Sequence, residues 1–248
     1  YTKDEIRDVV AYAKARHVTI VPEIDMPGHA TAIIAAYPEL ASAPNPPSAP
    51  SNEWGILPNL LNPNAQTLRF VEQVLDEVMA LFPGTYIHVG GDEAVKDQWK
   101  ANPAIQAQMK RLGLTDENAL QGWFMAQLGD YLNAHGRRLI GWDEILEGKV
   151  PANATVMSWR GIDGAVTAAK AGHDTVLSPA PILYFDNRQS DAPDEPPGRA
   201  TTMDWQHIYA FDPTPAGLTG AQRAHILGLQ GNLWTEHVRT TDYATRML

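Results

Sequence analysis

The stretch that decides the fold of this chain is Tyr86-Ile87-His88-Val89-Gly90-Gly91-Asp92-Glu93. Its apolar first half is typical of a short strand, and two glycines and two adjacent carboxylates follow. Because glycine has no Cβ, Gly90 and Gly91 allow the backbone to pass close to a ligand. Asp92 and Glu93 come where the strand gives way to a loop, which is where barrel enzymes place catalytic groups.

The adjacent carboxylates predict acid–base chemistry. Two neighbouring carboxyl groups in a cleft cannot both ionise freely, so the pKa of one should rise and supply an acid near neutral pH. The alternative is a solvated helix N-terminus, where Asp and Glu interact favourably with the helix dipole. We take Asp92 and Glu93 as the candidate catalytic pair.

Helices alternate with short apolar strands along the whole chain. A helix capped by Thr2 and Glu5 is predicted first, and longer helices follow at about 68–82 and 116–134. The predicted strands are Val18–Asp25, Thr85–Val89, Arg138–Trp142, Thr155–Trp159, Thr175–Ser178 and Ile226–Trp234. This alternation indicates an α/β fold with a parallel sheet covered on both faces.

The polar and aromatic residues of interest fall at the carboxyl ends of these strands, which is typical of the active face of a (β/α)8 barrel. Six strands can be counted where a full barrel has eight. An open doubly wound sheet is the alternative, although no glycine-rich phosphate-binding fingerprint follows a strand.

Composition excludes several classes of function. The chain has 248 residues, of which 44% are hydrophobic and 19% charged, as in ordinary globular domains. Its net charge is -10 and it has no Lys/Arg cluster, so nucleic acid is not an expected partner. No apolar run is long enough to span a membrane. The absence of cysteine excludes disulfides and thiolate metal sites.

Two Pro-rich segments and several tryptophans point to a ligand pocket. Segments Ala41–Pro63 and Pro179–Pro215 follow strand ends, and we expect them to form walls of a substrate cleft. Trp142, Trp159 and Trp234 each close a strand, where their aromatic faces would line a ligand pocket. Core packing is the alternative for any one of them. The remaining tryptophans are interpreted as structural: Trp54, Trp99, Trp123 and Trp205.

Six motifs occur in order along the chain, and together they resemble those of the family 20 glycoside hydrolases, the β-N-acetylhexosaminidases. The motifs are Pro22-Glu23-Ile24-Asp25-Met26-Pro27-Gly28-His29, His88-Val89-Gly90-Gly91-Asp92-Glu93, Gly141-Trp142-Asp143-Glu144, Met157-Ser158-Trp159-Arg160-Gly161, Tyr184-Phe185-Asp186 and Gly231-Asn232-Leu233-Trp234-Thr235-Glu236.

The resemblance implies a retaining, substrate-assisted mechanism in which the 2-acetamido oxygen of the sugar attacks the anomeric carbon and forms an oxazolinium ion. Glu93 would then be the general acid and later the base, and Asp92 would orient the acetamide N–H. Tyr184 would donate a hydrogen bond to the attacking acetamido oxygen. The resemblance places His29 near the acid, where it would tune its protonation.

The resemblance also implies supporting roles. Asp186 and Glu236 would accept hydrogen bonds from sugar hydroxyls, whereas a solvated surface position is the default for a lone carboxylate. Asp25 would support His29, and His88 would pack inside the barrel behind the site. A metal site built from His29, His88, Asp92 and Glu93 is the rival chemistry. Since no H-E-x-x-H spacing occurs, we predict no metal and no cofactor.

The resemblance further implies that residues 1–248 form one catalytic barrel domain with about six of its eight β/α units. The first two units should precede Tyr1, and the last helix, from Asp242, should be incomplete. The expected substrate is a chitooligosaccharide or glycoconjugate glycan, and the expected location is periplasmic or secreted. Two alternatives stay open: a non-catalytic carbohydrate-binding barrel, and a two-carboxylate glycosidase using Asp143, Glu144 or Glu236 as nucleophile.

Overall fold

The computed structural model describes residues 1–248 and divides the chain into two compact units, Tyr1–Thr155 and Val156–Leu248. Both units combine parallel strands with helices, as the sequence predicts. The assignment of residues 1–248 to one catalytic domain stays a prediction. No helix of either unit is long and apolar enough to cross a bilayer.

The first unit contains helices, two parallel strands and two short 3-10 helices. In chain order they are α1 (Lys3–Lys14), α2 (Thr31–Ala36), a 3-10 helix (Pro38–Leu40), α3 (Ala65–Leu81), β1 (Tyr86–His88), α4 (Asp97–Ala101), α5 (Pro103–Leu112), α6 (Glu117–Ala134), β2 (Arg138–Trp142) and a 3-10 helix (Asp143–Glu147). Strands β1 and β2 pair in register, with Ile87 opposite Leu139.

The helix boundaries follow from local capping chemistry. Thr2 and Glu5 form the predicted capping box of α1. Asn64 caps α3 by accepting a hydrogen bond from the Thr67 N–H at 2.9 Å. Asp116 caps α6 in the same way. The structure thus confirms the three helices that were predicted from the spacing of apolar residues.

The segment Val18–Asp25 is not the regular buried strand that we predicted. It runs extended beside β1 and is joined to it by one bridge, between Glu23 and His88. The His88 N–H donates to the Pro22 carbonyl at 3.0 Å, and the Ile24 N–H donates to the His88 carbonyl at 3.0 Å. Pro22 has no N–H to donate, and Val18 is 54% exposed, so ladder formation begins only near the end of the segment.

A hydrophobic cluster around Trp99 anchors the Ala41–Pro63 segment. The buried members of this cluster are Leu60, Trp99, Ile105, Met109 and Leu120. The Trp99 indole N–H donates to the Ser42 hydroxyl and to the Leu61 carbonyl, both at 3.0 Å. Trp99 is therefore structural, as predicted, and the partly buried Trp123 packs against the same cluster. Trp54 and Trp205 are 70% and 69% exposed, and the structural interpretation of these two residues stays a prediction.

The second unit contains parallel strands, the first of which begins at Thr155, a small two-stranded ladder and short helices. In chain order they are β3 (Thr155–Ser158), α7 (Asp163–Ala171), β4 (Thr175–Leu177), β5 (Asn187–Arg188), β6 (Arg199–Thr202), α8 (Trp205–Tyr209), α9 (Gly220–Arg223), β7 (Ile226–Leu229) and α10 (Thr241–Met247). Strand β4 lies between β3 and β7 and pairs in parallel with both.

The second unit differs from the prediction in two places. The last strand ends at Leu229, not at Trp234; beyond it Asn232 makes a separate parallel bridge to Tyr184. The Pro-rich segment Pro179–Pro215, predicted as a loop, carries the β5–β6 ladder and α8. Its role as a cleft wall stays a prediction.

Candidate active site

The candidate catalytic pair follows β1 through a turn with unusual backbone angles. Gly90 and Gly91 have φ values of +71° and +105°, which glycine adopts without steric cost. Glu93 also has a positive φ, +48°, and so does His29, at +48°. Such angles are uncommon for residues with a side chain and concentrate at functional sites. The amide group of the buried Gln121 side chain donates to the Gly91 carbonyl at 2.6 Å, and this hydrogen bond fixes the turn to the core.

The space beside Gly90 is filled by Asp25 and not by a ligand, so our explanation of this glycine was wrong. A Cβ added to Gly90 would lie 1.6 Å from Asp25 Oδ1 and 2.8 Å from Asp25 Cα. The same carboxylate oxygen accepts a hydrogen bond from the Gly91 N–H at 3.1 Å. At Gly91 an added Cβ would meet Ile145 Cγ2 at 2.8 Å. The two glycines therefore allow a carboxylate of the protein itself to pack against the turn.

His29 links the two candidate catalytic carboxylates. Its Nε2 atom lies 3.3 Å from Asp92 Oδ2 and 3.3 Å from Glu93 Oε2. The hydrogen bond to Asp92, together with the negative charges of Asp25, Asp92 and Glu93, raises the pKa of His29. The imidazole is therefore held as a cation between two carboxyl groups, which is the arrangement predicted for a residue that tunes the acid.

Asp25 and Glu23 are carboxyl groups whose pKa values the fold raises. Burial, followed by the charge of Asp92, raises the pKa of Asp25. Burial also raises the pKa of Glu23 to about 7, against the lowering effect of a hydrogen bond from Trp142. The sequence did not identify these two groups as the ones with raised pKa values.

A metal ion could be held by a smaller set than the one weighed from the sequence. One ligand atom each from Asp25, His29 and Asp92 lie within 4.8 Å of one another. His88 is not part of this group. Its burial lowers its pKa to about 3, and its Nδ1 accepts a hydrogen bond from the Gly90 N–H at 3.0 Å. The three-residue cluster also has the composition of a proton-sharing group, with one cation among carboxyls.

Trp142 lies at the end of β2 and is only 3% exposed. Its indole N–H donates to Glu23 Oε1 at 2.9 Å, and its ring packs at 4.8 Å from the His88 ring, centroid to centroid. The next residue, Asp143, begins the 3-10 helix and is also buried, while Glu144 is half-buried. His88 packs inside the unit as predicted.

In the second unit Tyr184, Asp186 and Trp159 form a group of their own. Tyr184 is 4% exposed, and its ring centroid is 6.4 Å from that of the partly buried Trp159. Asp186 is 2% exposed, and burial raises the pKa of its carboxyl group. Its Oδ1 atom is buried without a hydrogen-bond partner. Trp234 is 37% exposed and Glu236 is exposed.

Arg199 belongs to this group and was not anticipated from the sequence. Its guanidinium lies 5.1 Å from the Tyr184 ring centroid and 3.7 Å from Asp186 Oδ2. The Arg199 N–H donates to the Asp186 carbonyl at 2.9 Å, so the β5–β6 ladder places the cation there. The Pro-rich segment Pro179–Pro215 holds two arginines, Arg188 and Arg199, and the sequence alone does not distinguish them.

The model of the catalytic domain of glycosyl hydrolase family 20 matches residues 1–248, the whole chain. The chain belongs to this family. A beta-hexosaminidase of Porphyromonas gingivalis is 45% identical over 244 residues, which is 98% of this chain and 31% of that protein. A beta-hexosaminidase of Vibrio furnissii is 36% identical over 100% of this chain and 41% of its own length.

Solved structures of the same family agree. The chitobiase of Flavobacterium johnsoniae is 39% identical with a TM-score of 0.84, over 95% of this chain and 35% of that one. The family 20 exo β-N-acetylglucosaminidase of Vibrio harveyi, in complex with N-acetylglucosamine, is 36% identical with a TM-score of 0.86. The match covers 100% of this chain and 39% of that one. These similarities confirm the (β/α)8-barrel fold class over an open doubly wound sheet. The chain spans about two fifths or less of the length of these relatives.

Proposed function

We propose that the protein is an exo-acting β-N-acetylhexosaminidase that releases terminal, non-reducing β-linked GlcNAc or GalNAc with retention. The observation that carries the proposal is the contact of Asp92 and Glu93 with the same nitrogen, His29 Nε2, at 3.3 Å each. In a two-carboxylate glycosidase the acid and the second carboxylate flank the scissile bond from different sides. Asp92 and Glu93, which share one imidazole nitrogen, are therefore poorly placed to be such a pair, and a conventional nucleophile would have to come from Asp143, Glu144 or Glu236.

The shared nitrogen fits a mechanism in which the substrate supplies the nucleophile. Glu93 protonates the leaving-group oxygen and later activates water, and Asp92 accepts the acetamide N–H and stabilises the oxazolinium ion. The His29 cation lies between them and stabilises whichever carboxyl group is ionised. In this proposal Tyr184 donates to the acetamido oxygen, and the tryptophans enclose the acetamido group.

The substrate class is supported by the relatives. The Vibrio harveyi structure of 36% identity contains N-acetylglucosamine, and the Flavobacterium johnsoniae neighbour is a chitobiase. We therefore propose a small carbohydrate, a chitooligosaccharide or a glycoconjugate glycan, as substrate of the whole protein. A periplasmic or secreted location is part of the same proposal.

The test is a pair of substrates with the same leaving group, a β-N-acetylglucosaminide and a β-glucoside. If the acetamide is the nucleophile, replacing it by a hydroxyl removes a reacting group, and positioning such a group is worth roughly 7–11 kcal/mol. We expect cleavage of the first substrate and negligible cleavage of the second. A thiazoline analogue of the oxazolinium ion should inhibit competitively and more tightly than GlcNAc.

Two outcomes would contradict the proposal and identify its rivals. A covalent sugar ester trapped with a 2-fluoro sugar, or brisk β-glucoside hydrolysis, would point to a conventional nucleophile such as Glu144 or Glu236. Binding of GlcNAc without turnover of any N-acetylhexosaminide by the intact protein would point to a non-catalytic carbohydrate-binding barrel.

A further inference from the structure

The backbone of Glu93 is held in a conformation that residues with a side chain rarely adopt. Its φ value is +48°, and such strain persists only where the surrounding structure fixes the backbone. On the N-terminal side of Glu93, the Gly91 N–H donates to Asp25 Oδ1 at 3.1 Å, and the Gly91 carbonyl accepts from the Gln121 amide at 2.6 Å. A different set of residues fixes the C-terminal side, and none of them takes part in the proposed mechanism.

Lys96 and Gly28 contact the backbone that follows Glu93. The Lys96 Nζ group donates to the Ala94 carbonyl at 2.9 Å. A Cβ added to Gly28 would lie 3.3 Å from Ala94 Cα and 3.1 Å from the Asp92 carbonyl oxygen, so Gly28 packs closely against the same backbone. The backbone after Glu93 is therefore held by one close packing contact and by one hydrogen bond from a side chain.

Lys96 is itself fixed by the start of α4. It is the last residue before this helix, and its carbonyl accepts a hydrogen bond from the Lys100 N–H at 3.0 Å. Trp99, in the same helix, is fully buried in the hydrophobic cluster that includes Leu60, and its ring centroid lies 6.0 Å from Lys96 Nζ. Because Trp99 anchors α4 to the core, the Lys96 side chain starts from a fixed point when it bonds to the Ala94 carbonyl.

The half-buried position of Lys96 is unusual for a lysine. Burial lowers the pKa of its ammonium group, against the raising effects of the negative charges of Glu147, Glu144 and Glu117. Taking an ammonium group partly out of water costs free energy unless the group gains a partner. The Ala94 carbonyl is such a partner, whereas a lysine with only a solubilising role would extend into water.

We propose that Lys96 is a positioning residue for the general acid, and that it acts by holding the Ala94 carbonyl. This inference rests on the proposed function, in which Glu93 is that acid. Without the bond, the backbone of Glu93 can relax from its positive φ, and the carboxyl group then leaves its place 3.3 Å from His29 Nε2. Proton transfer requires the acid to lie within hydrogen-bond distance of the leaving-group oxygen, so the displacement slows protonation more than it weakens substrate binding.

Three substitutions separate the hydrogen bond from a general effect on the fold. Lys96→Met keeps most of the length of the side chain and removes every N–H donor. Lys96→Arg retains both the charge and the donors. The matched control is Lys100→Met, which changes an exposed lysine of the same short helix and should leave kcat and KM unchanged. The melting temperature of each variant verifies that it is folded.

Kinetics of the intact protein on two N-acetylglucosaminides, one with a poor and one with an activated leaving group, give the first readout. A misplacement of about 1 Å can cost about 100-fold in rate, so Lys96→Met should lower kcat about 10–100-fold on the poor leaving group. The loss should be smaller on the activated one, and KM should stay within about twofold of wild type. Lys96→Arg should recover most of the loss. Equal losses on both substrates, or a change in KM alone, would refute the proposal.

Combining Lys96→Met with Glu93→Gln tests whether Lys96 acts through the acid. Once the acid is absent, misplacing residue 93 removes nothing further, so the double variant should be about as slow as Glu93→Gln alone. A role of Lys96 in the general stability of the unit would instead multiply the two losses. Multiplied losses would overturn the proposal.

Crystal structures of the variants give a readout independent of activity. In Lys96→Met the φ of Glu93 should leave the positive range, or its carboxyl group should move about 1 Å or more from His29, and Lys100→Met should show neither change. An unmoved Glu93 in Lys96→Met refutes the proposal even if the enzyme cleaves N-acetylhexosaminides. A displaced Glu93 in an enzyme that prefers β-glucosides would refute the proposed function and retain Lys96 as the anchor of this turn.

Discussion

Replacing Gly90 by alanine should lower the free energy of unfolding far more than replacing a glycine of the same backbone conformation elsewhere in the chain. Gly90 has a φ of +71°, and Gly136, after α6, has a φ of +72°. Nothing lies within 4 Å of a Cβ built on Gly136, whereas on Gly90 it would meet Asp25 Oδ1 at 1.6 Å, Cγ at 2.3 Å and Cα at 2.8 Å. An alanine would therefore suffer the same backbone strain at both positions, but only at position 90 would its Cβ clash with another residue.

The magnitudes follow from these two effects. A left-handed conformation costs an alanine about 1–2 kcal/mol, and the loss of unfolded-state entropy returns about 0.4–1 kcal/mol. Gly136→Ala should therefore lower the free energy of unfolding by about 1 kcal/mol. Gly90→Ala adds an overpacking cost of about 1–3 kcal/mol or more, because the clash with the backbone of Asp25 is not relieved by rotating a side chain.

Urea denaturation of the intact protein, followed by far-UV circular dichroism, measures both costs. Combining Gly90→Ala with Asp25→Ala removes the two closest clashes, those with the carboxyl group, and leaves the clash with the backbone of residue 25. The double variant should therefore recover part of the loss non-additively. Equal destabilisation by Gly90→Ala and Gly136→Ala, or strict additivity of Gly90→Ala and Asp25→Ala, would refute the packing of Asp25 against the turn.

The remaining predictions concern the chemistry and its pH dependence. Glu93→Gln should lower the rate about 10²–10⁴-fold on substrates with poor leaving groups and less on activated aryl glycosides, and equal losses on both would remove Glu93 from the acid role. Trp234→Ala should raise KM and lower kcat at an unchanged melting temperature; unchanged kinetics would make it a surface residue. Steady-state activity should be unaffected by EDTA, and loss restored by Zn²⁺ would instead support the metal cluster. The raised pKa values of Asp25, His29 and Glu23 mean that these three groups together bind more protons in the folded state than in the unfolded one, and the lowered pKa of His88 offsets only part of this below about 6.5. The free energy of unfolding should therefore fall as the pH rises from about 4, where unfolded carboxyls titrate, into the alkaline range, and Asp25→Asn should flatten this fall.

Features that depend on short stretches of sequence were predicted well. The helices α1, α3 and α6 follow from apolar periodicity and from caps within a few residues, Thr2, Asn64 and Asp116. The strands β1 and β2 follow from apolar runs. The prediction that His29 lies near Glu93 was correct, but it came from the family resemblance and not from any local pattern.

Features that depend on distant residues were missed. Asp25 and Gly91 are 66 positions apart, and Glu23 and Trp142 are 119 apart. No periodicity relates such pairs, so the sequence indicates neither the filled space beside Gly90 nor the anchor of Trp142. Arg199 reaches Tyr184 and Asp186 only because β5 and β6 form a ladder inside a segment that reads as an irregular loop.

The packing of the Pro22–His29 segment depends on the glycines of the turn after β1. Because Gly90 has no Cβ, Asp25 can pack against the turn and accept the Gly91 N–H. In that position burial raises the pKa of Asp25, and burial also raises the pKa of Glu23 to about 7. Asp92 and Glu93 are then the carboxyl groups that contact the His29 cation. The glycine pair that looked like a ligand-binding feature thus acts one step earlier, by letting the Asp25 carboxyl group pack against the turn that carries Asp92 and Glu93.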